Sequence, residues 1–125
     1  MRLEQIPPST IRYSQRTAGG NGRAARLRLS LANGWNGPPI NAVRTVDGIT
    51  TLDNTRVVIA CELGLEAIPV NVWTPFEPLP ESMVGRFGDA LTWGQALAHQ
   101  LSNQRPRLGP TGTASRPILP EEFRS

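Results

Sequence analysis

The stretch from Ile40 to Trp73 constrains the fold of this chain more than any other, because it reads as consecutive elements with their stops in place. Ile40 to Val46 has the composition of a strand, with Ile40, Ala42, Val43 and Val46 apolar. Asp47-Gly48 follows as a two-residue hairpin signal, since glycine accepts the positive φ that tight turns demand. Ile49 to Leu52 is then the return strand. Asp53 stands where an N-cap belongs, and Thr55 to Leu63 reads as a helix with Val57, Val58, Ala60, Cys61 and Leu63 on its apolar face. Gly64 stops that helix as a C-cap. Leu65 to Ala67 connect it to a further strand, Ile68 to Trp73.

The flanks are read with the same signals. Residues 1–10 contain Pro7-Pro8 and read as an extended lead-in. Residues 11–16 form a short strand or a turn, and Thr17 to Gly22 a Gly/Asn loop. Arg23 to Ala32 fits a helix ended by Asn33-Gly34, although the alternation Leu27, Leu29, Leu31 also permits a strand. Gly34 to Pro39 is a turn-rich loop carrying Trp35. Pro75, Pro78 and Pro80 mark an extended crossing, with a short helix expected over Glu81 to Phe87. Thr92-Trp93-Gly94-Gln95 matches the capping box S/T-x-x-E/Q. The helix it opens runs to about Asn103, with Trp93, Leu97 and Leu101 toward the core. Residues 105–125 turn to Arg, Pro, Gly, Ser and Thr and read as an irregular tail, leaving 11–104 as the domain.

A chain of 125 residues supports one core. Twelve glycines and twelve prolines imply a loop-rich domain. The net charge is +3, and all thirteen basic residues are arginine. Each cation is therefore a planar fork suited to bidentate phosphate or carboxylate contacts. The balance fits a polyanionic partner, and it fits a slightly basic soluble domain as well. One cysteine, Cys61, excludes an internal disulfide, and with one histidine, His99, there is no typical structural zinc set. No stretch approaches the roughly 18 apolar residues of a membrane span, so no membrane partner is expected. Met1 to Gln5 lack the apolar run of a signal peptide, so no export signal of the chain's own is expected.

The strand-to-helix turn Asp53-Asn54-Thr55-Arg56 is the candidate site. A helix start leaves backbone N–H groups without intrahelical partners and carries the positive end of the macrodipole, so an anion binds there readily. Arg56 in the first turn can close over the same anion. Asp53 can cap the helix, hold Arg56, or contact a metal or an attacking water. Asn54 and Thr55 add short polar contacts. The plainer reading makes Asp53 an ordinary N-cap and Arg56 a solvated surface residue.

The run Asp47-Gly48-Ile49-Thr50-Thr51-Leu52-Asp53-Asn54-Thr55-Arg56-Val57-Val58-Ile59-Ala60, followed by Glu62-Leu63-Gly64-Leu65 and Ile68-Pro69-Val70, resembles the core of ParB/sulfiredoxin-like domains. Those domains carry an acidic-Gly-x-x-Arg type motif, a helix, a "GL" turn and an "IPV" strand. The likeness extends loosely to Tyr13-Ser14-Gln15, Pro39-Ile40 and Thr92-Trp93-Gly94, and there it is similar to modules at the C-terminal ends of bacterial polymorphic toxins. The implied fold is a small α+β domain, a mixed sheet with a β-hairpin, a strand-turn-helix anion site and flanking helices. The implied chemistry is phosphate binding at Asp53, Asn54, Thr55 and Arg56. Asn54 stands where the family has glycine, and Thr55 where many members have a second Arg or His. The cysteine of sulfiredoxin is missing from the motif, which argues against sulfinic-acid reduction. No helix-turn-helix follows, which argues against chromosome partition.

Other residues stand as secondary candidates. Ser14 and Gln15, with Arg12 and Arg16, line the same cleft or form a surface strand. Arg44 faces either the site or solvent. Asp47 reads as a turn residue, His99 as a surface or half-buried side chain, and Trp73 and Trp93 as core or cleft-wall aromatics. Glu121-Glu122 reads as an exposed pair without function. Magnesium needs only one or two carboxylates besides phosphate, which Asp53 with Asp47 or Glu62 can supply, and the spacing leaves this open.

The function expected from the resemblance is an antibacterial effector acting on nucleic acid as a nuclease, with Asp53 and Arg56 catalytic. Asn54, Thr55, Ser14, Gln15 and Arg44 would hold the phosphate. Such a module reaches a target-cell cytoplasm and is countered by a cognate immunity protein. Nucleotide binding or hydrolysis at the same turn, or a non-enzymatic Arg-lined pocket, are the alternatives.

Overall fold

The computed structural model describes residues 1–120. Four strands and three helices alternate along it: β1 (Arg2–Ile6), α1 (Arg23–Ser30), β2 (Ile40–Thr45), β3 (Gly48–Thr51), α2 (Asn54–Glu62), β4 (Ile68–Trp73) and α3 (Trp93–Ser102). Single turns of 3-10 helix cover Pro8–Thr10 and Glu81–Met83. The sheet order is β1-β4-β2-β3. β2 and β4 are parallel, joined by the β3 hairpin and α2, while β1–β4 and β2–β3 are antiparallel. The domain is a small α+β fold with a mixed sheet.

Alternation along the strands produces two cores. Ile68, Val70 and Val72 of β4, with Ile40 and Ala42 of β2, face α1 and α2. Val43 faces the other way, into a second core with Trp93, Ala96, Leu97 and Leu101 of α3. Val57, Val58, Ile59 and Ala60 are all fully buried, so α2 is enclosed between the sheet and its neighbours rather than half-solvated. The first half of the capping box forms: Thr92 Oγ1 accepts from the Gln95 N–H at 3.2 Å. Gln95 Oε1 reaches one residue past the N-cap and accepts from the Leu91 N–H at 2.9 Å. Trp93 stacks on Trp73, ring centroids 4.4 Å apart and planes 18° from parallel.

Several local readings shift. Residues 2–6 are not a free lead-in but the edge strand β1, registered on β4 from Arg2↔Val72 to Ile6↔Ile68. The hairpin loop is Val46-Asp47 rather than Asp47-Gly48, with Thr45 opposite Gly48. The two loop residues keep negative φ, and Gly48 takes φ +125° at the start of the return strand. Helix α1 stops at Ser30, before Asn33-Gly34, when the Leu31 N–H bonds back to Leu27 and Leu29. Glu81–Phe87 is one 3-10 turn followed by further turns, because Gly85 and Gly88 take φ +93° and +59°. Leu63, at the C-cap of α2, is exposed instead of facing the core. Residues 105–120 are irregular but packed down: Leu108 joins the second core and Leu119 the first. Glu121-Glu122 lie outside the described residues.

Trp93 is fully buried, and its indole N–H finds no hydrogen-bond partner among the described residues. Its contribution is therefore packing. Trp93→Ala is expected to cost about 3–5 kcal/mol in urea unfolding. Trp93→Phe, which keeps the stack and deletes an unsatisfied donor, should cost far less.

Candidate functional site

The chain leaves β3 through Thr51, whose hydroxyl accepts from the Asp53 N–H at 2.8 Å and lies 3.2 Å from the Asn41 carbonyl. This turns Asp53 back toward the start of β2. Asp53 holds the N-cap position of α2, but its side chain does not cap the helix. Its Oδ2 accepts from the Asn41 N–H at 2.8 Å and lies 3.4 Å from Arg56 Nη2. Arg56 donates to the Pro38 carbonyl at 2.7 Å, with its guanidinium 5.3 Å from the Trp35 ring. Both side chains are largely buried, at 25% and 15% exposure. Asp53 and Arg56 thus fasten the loop 34–39 and the first residue pairs of β2 onto α2.

Asn54 is engaged as well. Its Oδ1 accepts from the Ser14 N–H at 2.8 Å, and its Nδ2 donates to Ser14 Oγ at 2.9 Å. Both residues are buried. An amide side chain mimicking a strand partner explains why glycine is not needed at 54: the position locks the N-terminal segment instead.

Thr55 differs from its neighbours. It is 4% exposed. It lines a cavity of about 470 Å³ whose other walls are Gln15, the loop Thr17–Asn21, Arg23 and Pro120. The loop precedes α1, a helix without a side-chain cap or an acidic residue in its first turn. Gly19, Asn21 and Gly22 take φ of +78°, +59° and +72°. At Gly19 a Cβ would also press on Leu119, Ala24 and Thr55 at 3.0–3.3 Å. The cavity therefore joins the start of α2 to the start of α1. Uncapped N–H groups and a loop of positive-φ residues suit an anion. In the sequence the signal for this wall is a glycine cluster running directly into a helix with Arg23 at its first position.

The remaining candidates lie apart. Of the phosphate-holding set, Gln15 and Thr55 share the cavity, while Ser14 is consumed by Asn54. Arg44 is half-exposed, 3.6 Å from Glu4 Oε2, and lines a different groove with Val43 and Pro75. Arg12 donates to the carbonyls of Thr111 and Gly112, and Arg16 to those of Pro106 and Arg107, so both pin the C-terminal segment. His99 sits beside Gly88 and Asn103 in another cavity, with Asp89 and Gln95. Asp47 accepts from Thr111 Oγ1, and Glu62 pairs with Arg28 and Arg116. Among the described residues no three His, Cys, Asp or Glu side chains converge.

Cys61, on the expected apolar face of α2, is half-buried with its sulfur 3.8 Å from the Tyr13 hydroxyl. Burial pushes the Tyr13 phenol well above its ordinary value of 10.0, and Cys61 beside it pushes the same way.

No family model matches the chain, and no curated protein matches it. Among solved structures it is similar to sulfiredoxin from Arabidopsis thaliana, with 16% identity and a TM-score of 0.51 over 59% of this chain and 86% of that one. At that identity the likeness is one of fold: the chain has a sulfiredoxin/ParB-like architecture.

Two outcomes follow from these contacts. Asp53→Ala strands the Asn41 N–H and Arg56, with an expected stability loss of about 1–3 kcal/mol in urea unfolding; Asp53→Asn, which keeps an acceptor, should lose less. Tyr13 is the single tyrosine, so absorbance at phenolate wavelengths reports it alone. A raised folded pKa means the unfolded chain ionises first, so stability falls as pH rises through about 10. Phenolate should therefore appear only together with alkaline unfolding, and Tyr13→Phe should remove that component of the pH dependence.

Proposed function

We propose that this chain binds a phosphate-bearing ligand, a nucleotide or a nucleic-acid phosphate, in the cavity between the Thr17–Asn21 loop and the start of α2. The observation that carries this reading is the cavity itself, in which Thr55 at the start of α2 stands opposite the positive-φ loop and Arg23 at the start of α1. The starts of two helices and the Arg23 fork supply positive charge to a phosphate there. Asp53, Arg56 and Asn54 then act as positioning residues: they hold the first turn of α2 against the sheet and the Ser14 segment. Magnesium would arrive with the phosphate, coordinated by its oxygens and water.

The second reading is the delivered antibacterial nuclease, with an immunity protein covering this face in the producing cell. It is favoured by the run Asp47–Val70 and by an all-arginine cation set. Binding ranks above hydrolysis because no carboxylate or imidazole lines the cavity among the described residues, so a general base is not at hand.

Isothermal titration with inorganic triphosphate, nucleoside triphosphates and 5′-phosphorylated oligonucleotides tests the first reading. Thr55→Val and Arg23→Ala should each weaken binding about tenfold, a loss of ~1.4 kcal/mol. Identical binding by wild type and Thr55→Val overturns it. Incubation with plasmid and RNA, with and without magnesium, and expression in a bacterial cytoplasm test the second. Cleavage abolished by Arg56→Ala, with growth arrest, supports the nuclease; uncleaved nucleic acid and normal growth at confirmed expression count against it. An acidic peptide that binds where phosphates do not would instead mark a non-enzymatic module.

A further inference from the structure

We infer that β1 is a self-pairing edge, through which two copies of this chain join antiparallel about a two-fold axis at Leu3. The sheet has two outer strands, and the chain treats them differently. The outer side of β3 is covered by Arg12, whose N–H donates to the Ile49 carbonyl at 2.9 Å and whose carbonyl accepts from the Thr51 N–H at 2.9 Å. Among the described residues no segment pairs with the outer side of β1. Natural sheets usually blunt such an edge with proline, a bulge or charged side chains; the two charges of β1, Arg2 and Glu4, are of opposite sign and complement one another across a two-fold axis. Here proline arrives only at Pro7, after the strand has ended.

The register decides which groups point outward. Gln5 lies opposite Pro69, which has no N–H to give, so that pair is a non-hydrogen-bonded one. Alternation then makes Arg2, Glu4 and Ile6 the residues bonded to β4, and turns the N–H and C=O of Leu3 and Gln5 outward. An antiparallel second copy centred on Leu3 exchanges two hydrogen bonds between the Leu3 residues. It also sets Arg2 of each copy directly opposite Glu4 of the other, in the close non-hydrogen-bonded position where cross-strand pairs interact best. Sliding the copies by one step places Glu4 against Glu4, so charge selects the Leu3-centred register.

Arg2 has no ion-pair partner among the described residues. Glu4 already pairs with Arg44 at 3.6 Å through Oε2, which accepts no hydrogen bond, and Arg2 of the second copy adds another cation beside that carboxylate. Leu3 is 60% exposed, and the pairing covers it with its own copy. Antiparallel self-pairing is closed by its two-fold axis and yields one eight-stranded sheet rather than a fibre. A strand-edge contact is small, so the dimer is weak and concentration-dependent.

Sedimentation of the full chain, from about 10 µM to about 1 mM, reads the dimer fraction. The expected result is a dimer that grows with concentration. Arg2→Glu and Glu4→Arg, each placing like charges opposite one another, should weaken it about tenfold. An equimolar mixture of the two variants, in which opposite charges face again, should recover it. Leu3→Pro removes the central donor and leaves the β1–β4 ladder intact, so circular dichroism should be unchanged and the dimer lost. A wild type that stays monomeric across the range overturns the inference. So does dimerisation of Arg2→Glu, or of folded Leu3→Pro, at wild-type strength.

Discussion

The Asp53 carboxylate is where sheet, helix and loop meet. A carboxylate at a helix start ordinarily caps its own helix. Here Thr51 has already drawn the Asp53 N–H inward, and the carboxylate reaches across to the backbone of Asn41 and to Arg56. One group therefore sets the position of α2 relative to β2, and through Arg56, Pro38 and Trp35 it sets the loop that feeds β2. Because the side chain is spent on that joint, the first N–H groups of α2 receive no side-chain cap. The joint therefore also leaves the start of α2 open.

The next layer of order comes from the two ends of the chain. The N-terminal segment is tied to α2 through the Ser14–Asn54 amide pair, and the C-terminal segment is tied to the N-terminal one. Tyr13 and Thr113 exchange backbone hydrogen bonds at 2.8 and 2.9 Å. Arg12 and Arg16 spend their guanidinium groups on carbonyls of residues 106–112. Arginine suits this work because its rigid fork satisfies several carbonyls at once without losing its charge. Leu119 then lies under Gly19, and Pro120 closes one side of the cavity. A stretch of low-complexity composition thus becomes part of the cavity wall. The all-arginine composition, which invites a nucleic-acid reading, is in good part consumed by the fold itself.

A sulfiredoxin-like architecture at 16% identity to its structural neighbour means that the backbone plan is kept through wide changes of sequence. At the turn of this chain, Asn54 forms a buried two-bond lock with Ser14, and Thr55 lines the cavity.

The amino-acid sequence by itself determined the elements whose signals are local. The hairpin-helix-strand run from Ile40 to Trp73, the Thr92–Gln95 capping box and the buried faces of α2 and α3 were legible, because strand alternation, helix caps and glycine stops act within about one turn of structure. The family likeness rested on the same run and led to the correct fold. It gave equal weight to the four residues Asp53 to Arg56, of which Thr55 alone lines the cavity. Tertiary structure decided the rest. β1 is a strand only because β4 offers it a ladder, the tail is packed only because Arg12 and Arg16 reach carbonyls 90 to 100 residues away in sequence and Leu108 and Leu119 enter the two cores, and the cavity exists only because a glycine loop and a distant threonine are brought face to face. These depend on which segments meet in space, and a polar side chain at a turn carries no local mark of whether its partner will be its own helix, another strand or a ligand.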